Sequence, residues 1–303
     1  MNKILISLSL SIVALTCLTL SSTAQAKIID QERSLYQNVY VSEEIGLRCM
    51  RFKKRNQHDL SQSCIFLDYP GRFVFDYYKQ AMGVNFFVDN PKEILIIGLG
   101  GGILANTFNE IYPEAHITSV EIDPVVTKMA KKHFAYDDSS DNLETHVRDG
   151  RVFVKRAIKK GKKYDLILLD AFNGDYIPEH MMTKEYLEEV KQLVTEQGII
   201  MANTFSSSKL FDHESATYHE VFGRMYQITL EHGKTNRVII VAKKALPNKK
   251  ELLDKANEWH AKLSRYGVDT FGLYEVLTDE VNWDTKAKIL TDQYSPANLL
   301  KDQ

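Results

Sequence analysis

The sequence predicts an α/β protein in which a small N-terminal β-domain precedes a doubly wound parallel sheet. Between residues 90 and 245, apolar strand segments alternate with helical segments, the pattern of a parallel sheet covered on both faces. Between residues 27 and 89 the chain instead has several short β-like runs. With 303 residues, 44% of them hydrophobic, the chain can bury a large core without needing a metal or a disulfide.

The first 26 residues are typical of a secretory signal peptide. Lys3 provides a positive start, Ile4–Leu20 is an uncharged apolar run, and Ala24-Gln25-Ala26 is a suitable cleavage site. An uncleaved membrane anchor is the alternative, but Ser and Thr interrupt the apolar run. We therefore expect cleavage after Ala26 and an exported protein, periplasmic or secreted, with no membrane segment left.

The predicted β-domain contains two cysteines on neighbouring strand candidates. The strand-like runs are Gln37–Val41, Ile45–Phe52, Ser63–Leu67 and Arg72–Phe75. Cys49 and Cys64 lie in the second and third runs, roughly opposite each other across a polar turn. An oxidising compartment allows such a pair to form a disulfide, and two buried thiols are the alternative.

The larger domain, residues 90–245, alternates strands and helices in chain order. The expected strands are Glu93–Gly98, Ala115–Glu121, Leu143–Arg148, Tyr164–Asp170, Gly198–Asn203, Tyr226–Glu231 and Arg237–Ala242. The expected helices are Ile103–Ile111, Pro124–His133, Val152–Lys160, Thr183–Val194 and His213–Gly223. Residues 246–303 are expected to form a C-terminal helix, within Ala245–Arg265, and a tail packed on the domain.

Ligands bind at the carboxyl ends of the strands in such sheets, so the residues that end each strand are the candidate site. The first strand runs into Gly98-Leu99-Gly100-Gly101-Gly102, where glycine lets the backbone approach a ligand closely. Glu121 ends the second strand, about twenty residues further on, which is the distance at which an acid meets ribose hydroxyls. These two segments predict a nucleoside site.

Two further acids end the third and fourth strands. Asp149 offers an acceptor to an adenine amino group and Gly150 leaves room for the ring, with helix capping as the alternative for Asp149. Asp170 closes an apolar strand, where partial burial would raise its pKa and make it a better base, with a loop cap as the alternative. Because no phosphate-binding lysine follows the glycine turn, the acids favour a sulfonium nucleoside over a nucleotide.

These strand-end motifs resemble those of the spermidine synthase family of polyamine aminopropyltransferases, most closely a divergent bacterial branch. The matching residues are Gly98, Gly100 and Gly101 of the glycine motif, the ribose acid Glu121, the adenine position Asp149-Gly150, the catalytic Asp170, and the pair Gln62-Ser63 near the nucleoside. The resemblance covers residues 34–242. It implies a methyltransferase-like Rossmann domain, decarboxylated S-adenosylmethionine as co-substrate, an amine acceptor, and Asp170 as the base.

The departures from the family pattern fall on amine recognition. Gly101 stands where the family has an aspartate that holds the aminopropyl amine. Asn173 replaces a second acid, although Asp175 is close by, and Asp76-Tyr77-Tyr78-Lys79 replaces a Tyr-His-Glu segment. By this resemblance Tyr77, Tyr78 and Asp175 are the candidate amine-binding residues.

Two other functions are compatible with these residues. A methyltransferase using S-adenosylmethionine would need the same nucleoside acids, and Gly101 favours it because the full cofactor has a carboxylate that an aspartate would repel. A non-catalytic exported protein that binds a nucleoside or polyamine is the second alternative. The formal charge of -2 leaves no basic excess for binding nucleic acid, no motif indicates a metal, and the family analogy implies a homodimer.

Overall fold

The computed structural model describes residues 26–52, 61–172, 177–230 and 236–296, and these form two sheets. The smaller sheet is antiparallel and its strands follow chain order: β1 (Lys27–Arg33), β2 (Asn38–Glu44), β3 (Leu47–Arg51) and β4 (Ser63–Phe66). The sequence does not predict β1, because most of its side chains are polar or charged and the ion pairs that hold them are made to a helix far away in sequence. Asp30 pairs with Lys132, and Glu32 pairs with Lys128.

The predicted strand at Arg72–Phe75 is wrong. Phe73 makes only an isolated bridge to Ile65, and its N–H group instead donates to the carbonyl of Tyr266 at 2.9 Å. The next residues form helix α1 (Asp76–Ala81) and a 3-10 turn (Met82–Phe86). The predicted β-domain therefore ends in helical residues, because long-range packing against the C-terminal segment decides the conformation here.

The predicted disulfide between Cys49 and Cys64 is confirmed, and the alternative of two free thiols is wrong. The two residues are direct cross-strand partners in β3 and β4, with Cα atoms 4.1 Å apart. Both side chains are buried. The disulfide therefore joins β3 to the strand that begins at Ser63.

The larger sheet has seven strands in the order β10-β11-β9-β8-β5-β6-β7. Their bounds are β5 (Glu93–Ile97), β6 (His116–Glu121), β7 (Leu143–Val147), β8 (Tyr164–Leu169), β9 (Val194–Phe205), β10 (Tyr226–Ile228) and β11 (Asn236–Ala242). The sheet is parallel except for β11, which is antiparallel to both of its neighbours. The predicted parallel, doubly wound sheet therefore contains one antiparallel strand, because the short connection from β10 permits only an antiparallel pairing.

Helices cover both faces of this sheet. Those between residues 103 and 263 lie close to where the sequence predicts them, whereas the last helix forms in the segment that is predicted only as a tail. They are α2 (Ile103–Ile111), α3 (Pro124–His133), α4 (Gly150–Lys159), α5 (Lys184–Leu193), α6 (Phe211–Phe222), α7 (Glu251–Leu263) and α8 (Thr270–Val276). Ile94 and Ile96 of β5 face one core layer and Leu95 and Ile97 face the other. This near-complete burial explains the continuous apolar run of the strand.

The C-terminal segment packs on the large domain through one face of α7. Leu252, Ala256, Trp259 and Leu263 are buried at helical spacing. Helix α7 begins later than the sequence pattern predicts. Among the residues that the structure describes, no helix has the length and apolar character needed to cross a membrane.

Candidate active site

A cavity of about 800 Å³ opens at the carboxyl ends of the parallel strands, facing the small sheet. Eight of the residues predicted for the site line it: Gln62, Tyr77, Gly98, Gly100, Glu121, Asp149, Gly150 and Asp170. Gln62 directly precedes β4, Tyr77 lies in α1, and the other six residues lie at the ends of four parallel strands. The sheet topology therefore brings most of the predicted site into one place, as expected for a doubly wound fold.

The glycine turn lies directly against the end of β8. Gly98 has a φ of +99°, and a Cβ atom at this position would come within 2.3 Å of the Asp170 carbonyl oxygen. The Asp170 N–H group in turn donates to the Ile97 carbonyl at 2.8 Å. Only glycine satisfies both the backbone angle and this close approach, which fixes Asp170 beside the turn.

Gly101 is predicted to bind the co-substrate, but its backbone contacts the small sheet. Its N–H group donates to Ser63 Oγ at 2.8 Å, and it does not line the cavity. A Cβ atom at Gly101 would meet the Ser63 Cβ atom at 2.9 Å. Ser63 thus occupies the space that an aspartate at position 101 would need.

The Glu121 carboxylate, half-buried at the end of β6, is held by two backbone N–H groups. Leu99 donates to Oε2 at 3.1 Å and Asp123 donates to Oε1 at 3.0 Å. Burial raises the pKa of Glu121 above its ordinary value, and the backbone hydrogen bonds oppose that rise. Each oxygen retains acceptor capacity, so the carboxylate is suited to a ligand diol.

The Asp149 carboxylate has two partners within the protein. Its Oδ1 atom accepts from the Val152 N–H group at 2.8 Å, so it caps α4. Its Oδ2 atom lies 2.9 Å from His180 Nε2. The capping function considered for Asp149 is confirmed. The carboxylate and Gly150 both line the cavity, and their adenine-binding function stays a prediction.

Asp170 is half-buried, and its charged form is supported by one described side chain. Asn203 Nδ2 donates to Asp170 Oδ1 at 2.8 Å. Burial raises the pKa of Asp170 to about 7, and the hydrogen bond from Asn203 opposes this rise. A carboxylate with this pKa exists in both protonation states near neutral pH, as a general base requires.

The two predicted tyrosines occupy different positions. Tyr77 lines the cavity, whereas Tyr78 does not line it and donates from its buried hydroxyl to Ser63 Oγ at 3.3 Å. Burial is the main cause that raises the pKa of Tyr77, followed by the charge of Asp170, so Tyr77 lies near that carboxylate. Asn173 and Asp175 lie outside the described residues, so the amine-binding prediction for Asp175 stays a prediction.

Sequence reasoning missed several residues that line the cavity. Tyr36 and Gln37, in the turn between β1 and β2, are two of them. Ser34 anchors this turn to the large domain by donating to Asp123 Oδ2 at 2.6 Å. Asn203 also lines the cavity, and its position at the end of an apolar strand was the signal that could have identified it.

Within the described ranges, no group of His, Cys, Asp and Glu side chains is arranged to hold a metal ion. The cavity instead combines strand-end carboxylates, aromatic rings and side-chain amides. Such groups bind and orient an uncharged ribose and a cationic ligand, and Asp170 adds a group that can accept a proton.

Comparisons with known proteins agree with this geometry. A family model described as a spermine/spermidine synthase domain matches residues 76–232. The chain is 45% identical over 291 residues to a polyamine aminopropyltransferase from Vibrio vulnificus, covering 95% of this chain and 97% of that protein. It also resembles the solved structure of a probable spermidine synthase from Corynebacterium glutamicum, with a TM-score of 0.66, 20% identity, and coverage of 88% and 97%. Human methyltransferase-like protein 13 in complex with SAH is similar at a TM-score of 0.57 and 25% identity, covering 62% of this chain and 92% of that one.

Proposed function

The chain belongs to the spermine/spermidine synthase family, and from that premise we propose that it transfers an aminopropyl group from decarboxylated S-adenosylmethionine to an amine such as putrescine. The position of Asp170 is the observation on which this proposal depends. Asp170 is a half-buried carboxylate with a pKa raised to about 7 by burial, and it lines the same cavity as the two nucleoside acids.

The nucleoside half of the co-substrate would lie over β5, β6 and β7. Glu121 would accept hydrogen bonds from the ribose hydroxyls, and its two backbone hydrogen bonds already fix its orientation. Asp149 would accept from the adenine amino group, beside the open space at Gly150. A fixed carboxylate loses little side-chain entropy when it binds, so this pre-organisation favours affinity.

The acceptor would lie on the other side of Asp170, over β9 and β11. The sheet order puts these strands on the opposite side of β8 from the nucleoside strands. Helix α1 packs against β9 and β11 and provides Tyr77 to the cavity wall. The Tyr77 ring is suited to a cation–π contact with an ammonium group, and we propose Asp175 as a further partner of the amine.

In the proposed reaction Asp170 first removes a proton from the acceptor ammonium. The amine nitrogen then forms a bond to the carbon next to the sulfonium, while the carbon–sulfur bond breaks and its electron pair stays on sulfur. Methylthioadenosine leaves, and Asp170 later returns its proton to solvent. An alkylammonium resembles a lysine side chain, with an ordinary pKa of about 10.4, so it is almost fully protonated at neutral pH without such a base.

Methyl transfer from S-adenosylmethionine is a second candidate, supported by Gly101. The structure leaves no room for an aspartate at this position, because Ser63 occupies it. The site therefore lacks an aspartate at position 101 that would repel the carboxylate of S-adenosylmethionine. The likeness to a methyltransferase solved with SAH gives this candidate a structural precedent. A non-catalytic binding protein is the third candidate.

The substitution Asp170→Asn tests the proposal, because asparagine keeps the shape but cannot accept the proton. We expect turnover to fall by about 10²–10⁴-fold, the usual contribution of a general base, while affinity for methylthioadenosine changes little. The acidic limb of the pH profile, set by the pKa of about 7, should also disappear. The exposed Asp254→Asn in α7 serves as a matched control. Unchanged turnover in Asp170→Asn would overturn the assignment.

We also propose that residues 1–26 are a signal peptide and that the mature protein is exported and dimeric. The apolar run and the Ala24-Gln25-Ala26 site support export. Fractionation of a bacterial host followed by N-terminal sequencing should give Lys27 as the first residue outside the cytoplasm. A cytoplasmic chain that starts at Met1 would contradict export, and light scattering at the mass of one copy would contradict the dimer.

A further inference from the structure

Two side-chain amides, one buried and one half-buried, form a directed chain of hydrogen bonds that ends on Asp170. Asn236 Nδ2 donates to Asn203 Oδ1 at 3.0 Å, and Asn203 Nδ2 donates to Asp170 Oδ1 at 2.8 Å. Asn203 lies near the end of β9, beside the strand that leads to Asp170, and Asn236 begins the neighbouring strand β11. Asn203 is only 5% exposed, so the protein rather than water provides its hydrogen-bond partners.

The order of donors in this chain determines which end of the Asn203 amide faces Asp170. A side-chain amide has an accepting oxygen on one side and a donating NH₂ group on the other. Because the Asn236 donor occupies the Asn203 oxygen, the Asn203 NH₂ group faces the carboxylate. Without Asn236, the reversed amide would bring its oxygen against a carboxylate oxygen, an unfavourable contact of two acceptors in a buried site.

We propose that Asn203 and Asn236 are positioning residues that hold the Asp170 carboxylate in one orientation and keep it available as a proton acceptor. The inference deepens the proposed function and rests on it, since it concerns the same carboxylate. Asn203 acts on Asp170 directly. Asn236 acts through Asn203, by selecting which end of that amide faces the carboxylate.

The surroundings of Asp170 make its protonation sensitive to this one hydrogen bond. Burial raises the pKa of Asp170 and the Asn203 hydrogen bond lowers it. Among the described residues, Tyr77 and Tyr78 of α1 are the titratable groups whose pKa values respond to the charge of Asp170. Burial is the main cause that raises both pKa values and the charge of Asp170 raises them further, so both tyrosines are uncharged near neutral pH. The other ionisable side chains of the described cavity wall are Tyr36, Asp76, Glu121, Arg148, Asp149, Glu179 and His180. Among the described residues, the Asn203 amide is the group that lowers the pKa of Asp170, so the ionised fraction of Asp170 is sensitive to this hydrogen bond.

The substitution Asn203→Leu removes the hydrogen bond and keeps the number and branching of the side-chain heavy atoms. Carboxyl ¹³C NMR of protein labelled at aspartate can follow Asp170, with Asp170→Asn identifying its signal. We expect the Asp170 titration in Asn203→Leu to move to higher pH by about one to two units, the size expected for losing one hydrogen bond to an ionised group. The acidic limb of kcat/KM should move in the same direction by the same amount.

A double-substitution comparison separates the two asparagines. Asn236→Ala alone should raise the Asp170 titration by a smaller amount than Asn203→Leu, and it should have no further effect in the Asn203→Leu background. Asn236 begins its strand and is half-buried, so this variant keeps the proposal testable if Asn203→Leu does not fold. Asn109→Ala is the matched control, because it breaks another Asn–Asn pair, with Asn142 at 2.9 Å, outside the cavity wall.

The outcomes distinguish this inference from the proposed function. An upward shift of the Asp170 titration in both single variants supports the positioning function of Asn203 and Asn236, provided that the shift is absent in Asn109→Ala and is not additive in the double variant. An Asp170 titration that is unchanged in Asn203→Leu, or an Asn236→Ala effect that persists in the Asn203→Leu background, overturns it. The NMR measurement needs no catalysis. Wild-type protein that transfers no aminopropyl group would therefore overturn the proposed function, and the Asp170 titration would still decide whether Asn203 and Asn236 position the carboxylate.

Discussion

Reduction of the Cys49–Cys64 disulfide is expected to lower the free energy of unfolding by about 3 kcal/mol. The two cysteines are 15 residues apart in sequence. Closing a loop of that length removes conformational entropy from the unfolded chain worth about 3 kcal/mol at 25 °C. Cys49 and Cys64 are 5% and 4% exposed, so the protein must be unfolded in a reductant and then refolded to open the bond.

Urea unfolding of the oxidised and the reduced protein, followed by circular dichroism, measures this difference. The double variant Cys49→Ala/Cys64→Ala is the control and should unfold at the same urea concentration with or without reductant. Nucleoside affinity should fall as well, because Ser63 adjoins Cys64 and accepts the hydrogen bond from Gly101. An oxidised protein that is no more stable than the reduced one would refute this reasoning.

Three substitutions test other parts of the site. Glu121→Gln removes the charge and places an NH₂ group against one of the two backbone N–H groups from which Glu121 accepts hydrogen bonds, so calorimetry should show affinity for methylthioadenosine weakened by about 1–3 kcal/mol. Glu144→Gln on β7 is the exposed control, and equal affinities of Glu121→Gln and wild type would reject the ribose assignment. Gly98→Ala would place a Cβ atom 2.3 Å from the Asp170 carbonyl, so turnover should fall by at least about tenfold with the displacement of the base, and wild-type turnover would contradict the close approach. Gly101→Asp restores the acid typical of the family, but its side chain would collide with Ser63, so thermal unfolding should show destabilisation by about 1–3 kcal/mol. Higher activity without a loss of stability would show that Ser63 moves aside.

The strand ends of the large domain could be predicted from sequence because they depend on local patterns. The apolar run that ends in Asp170 and the Pro124 start of α3 both give unambiguous local signals. The rule that ligands bind at strand carboxyl ends then brings Glu121, Asp149 and Asp170 together without knowledge of the three-dimensional packing.

Residues whose function depends on contacts distant in sequence could not be predicted in the same way. Ser63 and Gly101 are 38 residues apart, and nothing in either segment indicates that the serine fills the space of a missing acid. Asn203 and Asn236 are 33 residues apart and meet only because β11 runs antiparallel to β9. The strand pattern predicts a parallel sheet and gives no sign that β11 runs antiparallel, so it could not reveal this pair.

The most direct test of the central claim is mass spectrometry of the products formed from each co-substrate. The purified protein is incubated with decarboxylated S-adenosylmethionine or with S-adenosylmethionine, each with a panel of amines that includes putrescine, and Asp170→Asn is run beside it. We expect methylthioadenosine together with an amine heavier by one aminopropyl group, formed only from the decarboxylated co-substrate and about 10²–10⁴-fold more slowly by Asp170→Asn. A methylated amine formed from S-adenosylmethionine, or no product from either co-substrate, would contradict this expectation.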